Sequence, residues 1–167
     1  MSEEKISIIL DEVKQHQLPY WKEFPDFDLY MDQLVSLGNR FVSPITNSKI
    51  TPAMVNSYVK KKIMSKPTKK KYQAVHLAEL IAVSLLKTVY SLDTVKSALH
   101  QAEASQSASE AYDEFAHHFN LLITSLEISN NNIKFSSEPT TVPLPEQFAI
   151  RAFIYKAIGV QLISKAK

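Results

Sequence analysis

Seven lysines fall within twelve consecutive residues, Lys60, Lys61, Lys62, Lys66, Lys69, Lys70 and Lys71, in a stretch KKKIMSKPTKKKY that closes on Tyr72. The chemistry open to such a cluster is electrostatic. Ammonium groups set against phosphates displace counterions, and the resulting affinity falls steeply with salt. The whole chain carries 19 Lys and Arg against 17 Asp and Glu, so without these seven lysines it would hold 12 basic and 17 acidic residues, a balance of −5. The positive charge is a local feature on a mildly acidic body, the pattern of a focused footprint. A lysine run is ordinarily just a solvated surface, so its meaning depends on what flanks it.

Other chemistries are poorly supplied. With no cysteine, the chain has neither a thiolate metal site nor a Cys nucleophile. His16, His76, His100, His117 and His118 are scattered, and the two adjacent ones point about 100° apart on a helix, so they cannot share a metal. His76 reads as a polar cap. Two glycines in 167 residues argue against phosphate-cradling loops and against a β-rich fold. There is no Gly-x-Ser-x-Gly and no His-Glu-x-x-His. The expectation is a protein without catalytic residues, metal or cofactor. No run reaches the ~18 apolar residues of a membrane span, and the opening MSEEKISIILDEVKQHQ reads as neither signal peptide nor anchor. A cytoplasmic location is expected.

The elements that must position the lysines are helical. Residues 3–17 have Ile6, Ile9, Leu10 and Val13 at helical spacing. LPYWKEFPDFD follows as an irregular segment pinned by burial of Tyr20, Trp21, Phe24 and Phe27. Asp28 is the expected cap of a helix to about Phe41, and SPITNSKI reads as a turn. Thr51-Pro52 is a helix start, a capping hydroxyl followed by proline at the first helical position. That helix reaches only Lys61 or Lys62, because Ser-Lys-Pro disfavours continuation. An amphipathic helix is predicted over 74–89, then one from Ser91 with Leu92, Val95, Leu99 and Ala102 inward. A longer helix over 107–128 carries Tyr112, Phe115 and Phe119 on one face. After a loop with one short strand near Ile133 and Phe135, a last helix covers 146–163.

The order around the lysines is a short capped helix, a small basic loop and another helix. Residues 51–99 resemble the winged helix-turn-helix of MerR-type transcription regulators. Thr51-Pro52 matches the helix cap, Tyr58 the helix aromatic, Ile63-Met64 the apolar pair, and Lys70 and Tyr72 the end of the wing. Leu77, Leu80 and Val83 match the next helix, and Ser91 to Lys96 through Leu99 the start of the one after. Where those regulators usually carry arginine and glycine, this chain has Asn56 and Lys62. About nine residues separate the expected first helix from Thr51, against the three or four of a tight turn. The whole chain also resembles an uncharacterised bacterial family of unknown function (DUF1836-like), through Trp21, Pro25, Leu29 to Gln33, and the T-x-x-M-V-N-x-Y-V-K signature from Thr51 to Lys60.

The resemblance implies an all-α fold with a small wing: a winged helix-turn-helix over 20–103, an N-terminal helix over 1–19, and a helical region over 104–167 for packing or dimerisation. It implies a DNA-binding transcriptional regulator. Thr51 would cap the recognition helix, and Asn56, Ser57 and Tyr58 would lie toward bases or backbone. Lys60, Lys61, Lys62, Lys66, Lys69, Lys70, Lys71 and Tyr72 would contact duplex phosphates. A homodimer through 107–128 and 146–163 would double the footprint. The rival is an interaction adaptor that uses the same fold and sets its basic loop against an acidic partner. RNA is a fainter third, since the chain lacks the aromatic pairs of stacking platforms.

Overall fold

The computed structural model describes residues 3–130, 132–136 and 143–165. Among them the chain is mostly helical: α1 (Glu3–Lys14), α2 (Met31–Thr46), α3 (Pro52–Lys60), α4 (Ala74–Leu86), α5 (Leu92–Glu103), α6 (Ala108–Thr124) and α7 (Leu144–Lys165). One antiparallel hairpin joins β1 (Leu126–Ser129) to β2 (Asn132–Phe135), with Leu126 opposite Phe135 and Ser129 opposite Asn132. Where a single strand was expected, there are two. No described helix is long and apolar enough to cross a membrane.

The axis of the fold is α4. The sequence suggests an amphipathic helix, yet every residue from His76 to Leu86 is buried. AVHLAELIAVSLL has one charge, and a helix apolar on all sides needs cover on all sides. That cover comes from α2, α5, α6 and α7, which all pack against it. At the α2 crossing a glycine gives the room for close packing. A Cβ on Gly38 would stand 2.9 Å from Leu80 Cδ2 and 3.1 Å from Ile50 Cδ1.

Helix α2 departs most from expectation. Its N-cap is Tyr30, not Asp28, with Gln33 Oε1 accepting the Tyr30 N–H at 2.8 Å. At the other end it runs through Pro44 to Thr46, consuming half of the supposed turn. An internal proline costs a helix about 3 kcal/mol. Burial of Val42 and Ile45 on either side of it offsets that cost. Asn47 then ends the helix in the left-handed conformation, its N–H on the Ser43 carbonyl.

The aromatic segment is held by α6. Asn120 grips both backbone groups of Leu18, at 2.7 and 2.9 Å, and Tyr112 donates its hydroxyl to the Pro19 carbonyl. Phe24 packs on Tyr112 with ring centroids 5.0 Å apart. Phe27, expected inside, is exposed. The aromatic face of α6 is likewise spent within the chain: Tyr112 and Phe119 are buried, and Phe119 stacks on Phe153 of α7. Two of the three rings on that face, Tyr112 and Phe119, thus have partners within the chain. His118 pairs with Glu146 across the same interface, at 3.0 Å.

Candidate nucleic-acid interface

Helix α3 is built as its sequence requires. Thr51 Oγ1 accepts the Met54 N–H at 3.3 Å, and Pro52 occupies the first helical position. Val55 and Tyr58 turn inward. Ala53, Asn56 and Lys60 are exposed and Ser57 half-exposed, at the i, i+3, i+4, i+7 spacing of a single outward face. The segment that leads into α3 is fixed by a residue that carries no sequence signal. Asn39 on α2 donates from Nδ2 to the Ile50 carbonyl at 2.9 Å and accepts the Ile50 N–H at 2.7 Å. Its amide replaces the backbone partner that a strand would have provided.

Helix α3 ends in a Schellman motif. The Ile63 N–H reaches the Tyr58 carbonyl at 2.9 Å, and the Lys62 N–H the Val59 carbonyl at 3.0 Å. This geometry places Lys62 in the left-handed region, φ 57°. Ile63 and Met64 are buried and anchor the chain before it turns outward.

The basic loop is a clamped hairpin. Thr68 and Lys71 exchange backbone hydrogen bonds at 3.2 and 2.9 Å around Lys69 and Lys70, whose φ values are 50° and 61°. Two successive positive φ values define the tight turn usually filled by Asn-Gly. Both strands of the hairpin are tied down. Ser65 gives its N–H to Glu79 Oε2 at 2.9 Å and its hydroxyl to Oε1 at 2.6 Å. His76 Nδ1 accepts the Gln73 N–H at 2.9 Å, which leaves Nε2–H to donate to the Lys66 carbonyl at 3.2 Å. On the return strand Tyr72 exchanges two hydrogen bonds with Leu29, at 2.8 and 2.7 Å. Glu79 and His76 are buried on α4. Burial pushes the Glu79 carboxyl above the usual carboxylate range, against the pull of its Ser65 hydrogen bonds and of His76.

All seven lysines are exposed. Lys62 and Lys66 line one groove, of about 260 Å³, whose other walls include Glu79, Leu99 and Glu103. Lys71 stands 3.9 Å from Asp28, which also accepts from Gln73 Nε2 at 3.3 Å. The residue expected to cap α2 thus belongs to the hairpin. Tyr58 and Tyr72, both candidate duplex contacts and Tyr58 equally a packing residue, are 4% exposed. The Tyr58 hydroxyl accepts from Lys87 Nζ at 2.8 Å, and the Tyr72 ring meets His76 edge-on. Both lie beneath the lysines, Tyr58 under α3 and Tyr72 at the end of the hairpin.

The arrangement can present cations in a fixed order beside a short polar helix face whose N-terminal part, Ala53, Asn56 and Ser57, is uncharged. Among the described residues no group of three or more His, Asp or Glu stands together as a metal site. No curated protein and no solved structure matches this chain. The model of the family described as Domain of unknown function (DUF1836) matches residues 19–115, which span the whole of α2 through α5 and the lysine hairpin, and the chain belongs to that family.

Proposed function

We propose that the protein is a DNA-binding regulator of transcription, a winged helix-turn-helix akin to the MerR type. Helix α3 is the recognition helix, and the hairpin 65–72 is its wing. The observation that carries this reading is the backbone of Lys62, Lys69 and Lys70. Five non-glycine residues among those described have positive φ. Two are asparagines, which tolerate it, and three are these lysines. A left-handed conformation costs roughly 1–2 kcal/mol for a residue with a Cβ, and glycine would remove that cost. Cations kept at three strained positions fit a surface whose charge is used.

Other features support the same reading. Because α2 extends to Thr46, only residues 47–51 separate it from α3, close to the three or four of a helix-turn-helix. The outward residues Ala53, Asn56 and Ser57 suit a major groove, where an asparagine side chain pairs with adenine. Lysines at the end of α3 and in the wing suit flanking phosphates.

Fluorescence anisotropy of labelled duplex DNA, at low and high salt, is the test. Binding should weaken with a log–log slope of about −4 to −5 for five contacts, and Lys69→Ala/Lys70→Ala/Lys71→Ala should abolish it. No binding at low salt, or an affinity indifferent to salt, overturns the reading and directs attention to an acidic protein partner.

A further inference from the structure

We propose that the cavity between α4, α5 and α6, closed at one end by the start of α7, binds an apolar organic cation, an aromatic or aliphatic body bearing an ammonium group. The inference is independent of DNA binding.

The cavity exists because three helices meet on alanines. Ala78 and Ala82 of α4, Ala98 and Ala102 of α5, and Ala108 and Ala111 of α6 all line it. Side chains this short leave a gap that helices close only by drawing together. Helix α5 has not drawn in. Of the four residues expected to point inward on it, Val95 alone is buried, while Leu92 and Leu99 are half-buried and Ala102 is exposed. Leu99 and Ala102 instead line the cavity, whose volume is about 340 Å³. Small-molecule sites run from about 300 to 1,000 Å³. Tyr90, Tyr112 and Phe115 supply aromatic wall.

Charge says what the occupant is. Four carboxylates reach the cavity, those of Glu79, Glu103, Glu114 and Glu146, and among the described residues no lysine, arginine or histidine lines it. Glu79 is engaged by Ser65 and Glu146 by His118. Glu103 and Glu114 are exposed, and Glu114 accepts from the neutral Gln106 amide at 3.0 Å. Burial raises the carboxyl pKa of Glu79 and of Glu146, and a smaller push comes from Glu103 on the first and Glu114 on the second. His76 beside Glu79 and His118 beside Glu146 pull the other way, but neither lines the cavity. Lys62 and Lys66 share Glu79 and Glu103 with the neighbouring groove and stand outside this one. An ammonium group set here gains from the carboxylates and from the aromatic faces. An anion of the same shape gains from neither.

Three ligands with one phenylbutyl body separate charge from shape: 4-phenylbutyltrimethylammonium, 4-phenylbutan-1-ol and 5-phenylpentanoate. Titrated into the ¹⁵N-labelled full chain, the ammonium should saturably shift the amides of Ala82, Leu99, Ala102 and Ala111. Its affinity should exceed the alcohol's about ten-fold or more, and the carboxylate should leave those amides in place. Glu103→Gln with Glu114→Gln alters two exposed side chains and keeps an acceptor for Gln106. Circular dichroism should show its fold intact, while the ammonium's advantage over the alcohol shrinks several-fold. Ala98→Leu with Ala102→Leu fills the cavity from α5 and should weaken ammonium and alcohol alike. Absence of saturable ammonium shifts at these amides overturns the proposal, as does alcohol or carboxylate binding there equally well. So does an unchanged ammonium preference in the double glutamine variant, or wild-type binding by the filled cavity.

Discussion

Glu79 and Ser65 are joined twice: the buried carboxylate on α4 takes both the backbone N–H and the hydroxyl of the residue that opens the lysine hairpin. Burial raises the carboxyl's pKa, chiefly by desolvation. For a group whose folded pKa is raised, the stabilising contribution is complete below the unfolded value of 4.5 and is lost as pH rises through the folded value. Glu79→Gln keeps an acceptor for Ser65 and cannot titrate. In thermal melts, wild type should therefore gain on the Gln variant as pH falls from neutral toward 4.5. A wild type that instead loses stability relative to the Gln variant on acidification would mean that the hydrogen bonds, not burial, dominate.

Asp28 sits 3.9 Å from Lys71 at the protein surface. The pair is exposed, so Asp28→Asn should change stability by less than about 1 kcal/mol. On DNA the effect should be larger. Freeing Lys71 should tighten binding and steepen the salt slope by about one contact. Unchanged affinity would place Lys71 outside the interface.

Lys62→Gly should separate stability from binding. Glycine relieves the left-handed backbone at the end of α3, and the protein should gain on the order of 1 kcal/mol in urea denaturation. DNA affinity should fall, with the loss of one cation from the salt slope. A variant that is both more stable and a better binder would contradict a functional reason for lysine at this place.

Asn39→Ala removes both partners of the Ile50 backbone. Unmade hydrogen bonds at such a site cost about 1–3 kcal/mol. Denaturant melts should show that loss, and amide exchange at Ile50 should accelerate well beyond exchange in α4. An Ile50 amide that stays protected would mean that packing of the Ile50 side chain suffices.

Local chemistry made part of this legible. Thr51-Pro52 sets the start of α3 to the residue, because capping and proline act within one turn. His76 is a cap for the same reason. What stayed hidden depends on distant partners. Pro44 reads as a breaker until the burial of Val42 and Ile45 is known. Asp28 reads as a cap because its true partners, Lys71 and Gln73, lie more than forty residues away. Four helices must be in place before α4 can be seen to be covered all round. Asn39 has no signal in the sequence, since a backbone-mimicking amide is defined only by the loop it meets. Tyr58 and Tyr72 are both buried. An aromatic beside lysines reads equally well as a contact or as a support, and here both are supports.

The hairpin shares its anchor points with the central helix: Ser65, Lys66 and Gln73 are all bonded to Glu79 or His76 of α4. Its shape is therefore settled when the interior assembles, and encounter with a ligand leaves only lysine side chains to immobilise. Each such side chain forfeits about 0.5–1.5 kcal/mol of rotamer freedom, whereas a floppy basic tail would forfeit backbone freedom as well, about 1–2 kcal/mol per residue. On the proposed DNA-binding reading, the stiff mounting would let a modest set of charges do what a longer unstructured run would otherwise be needed for.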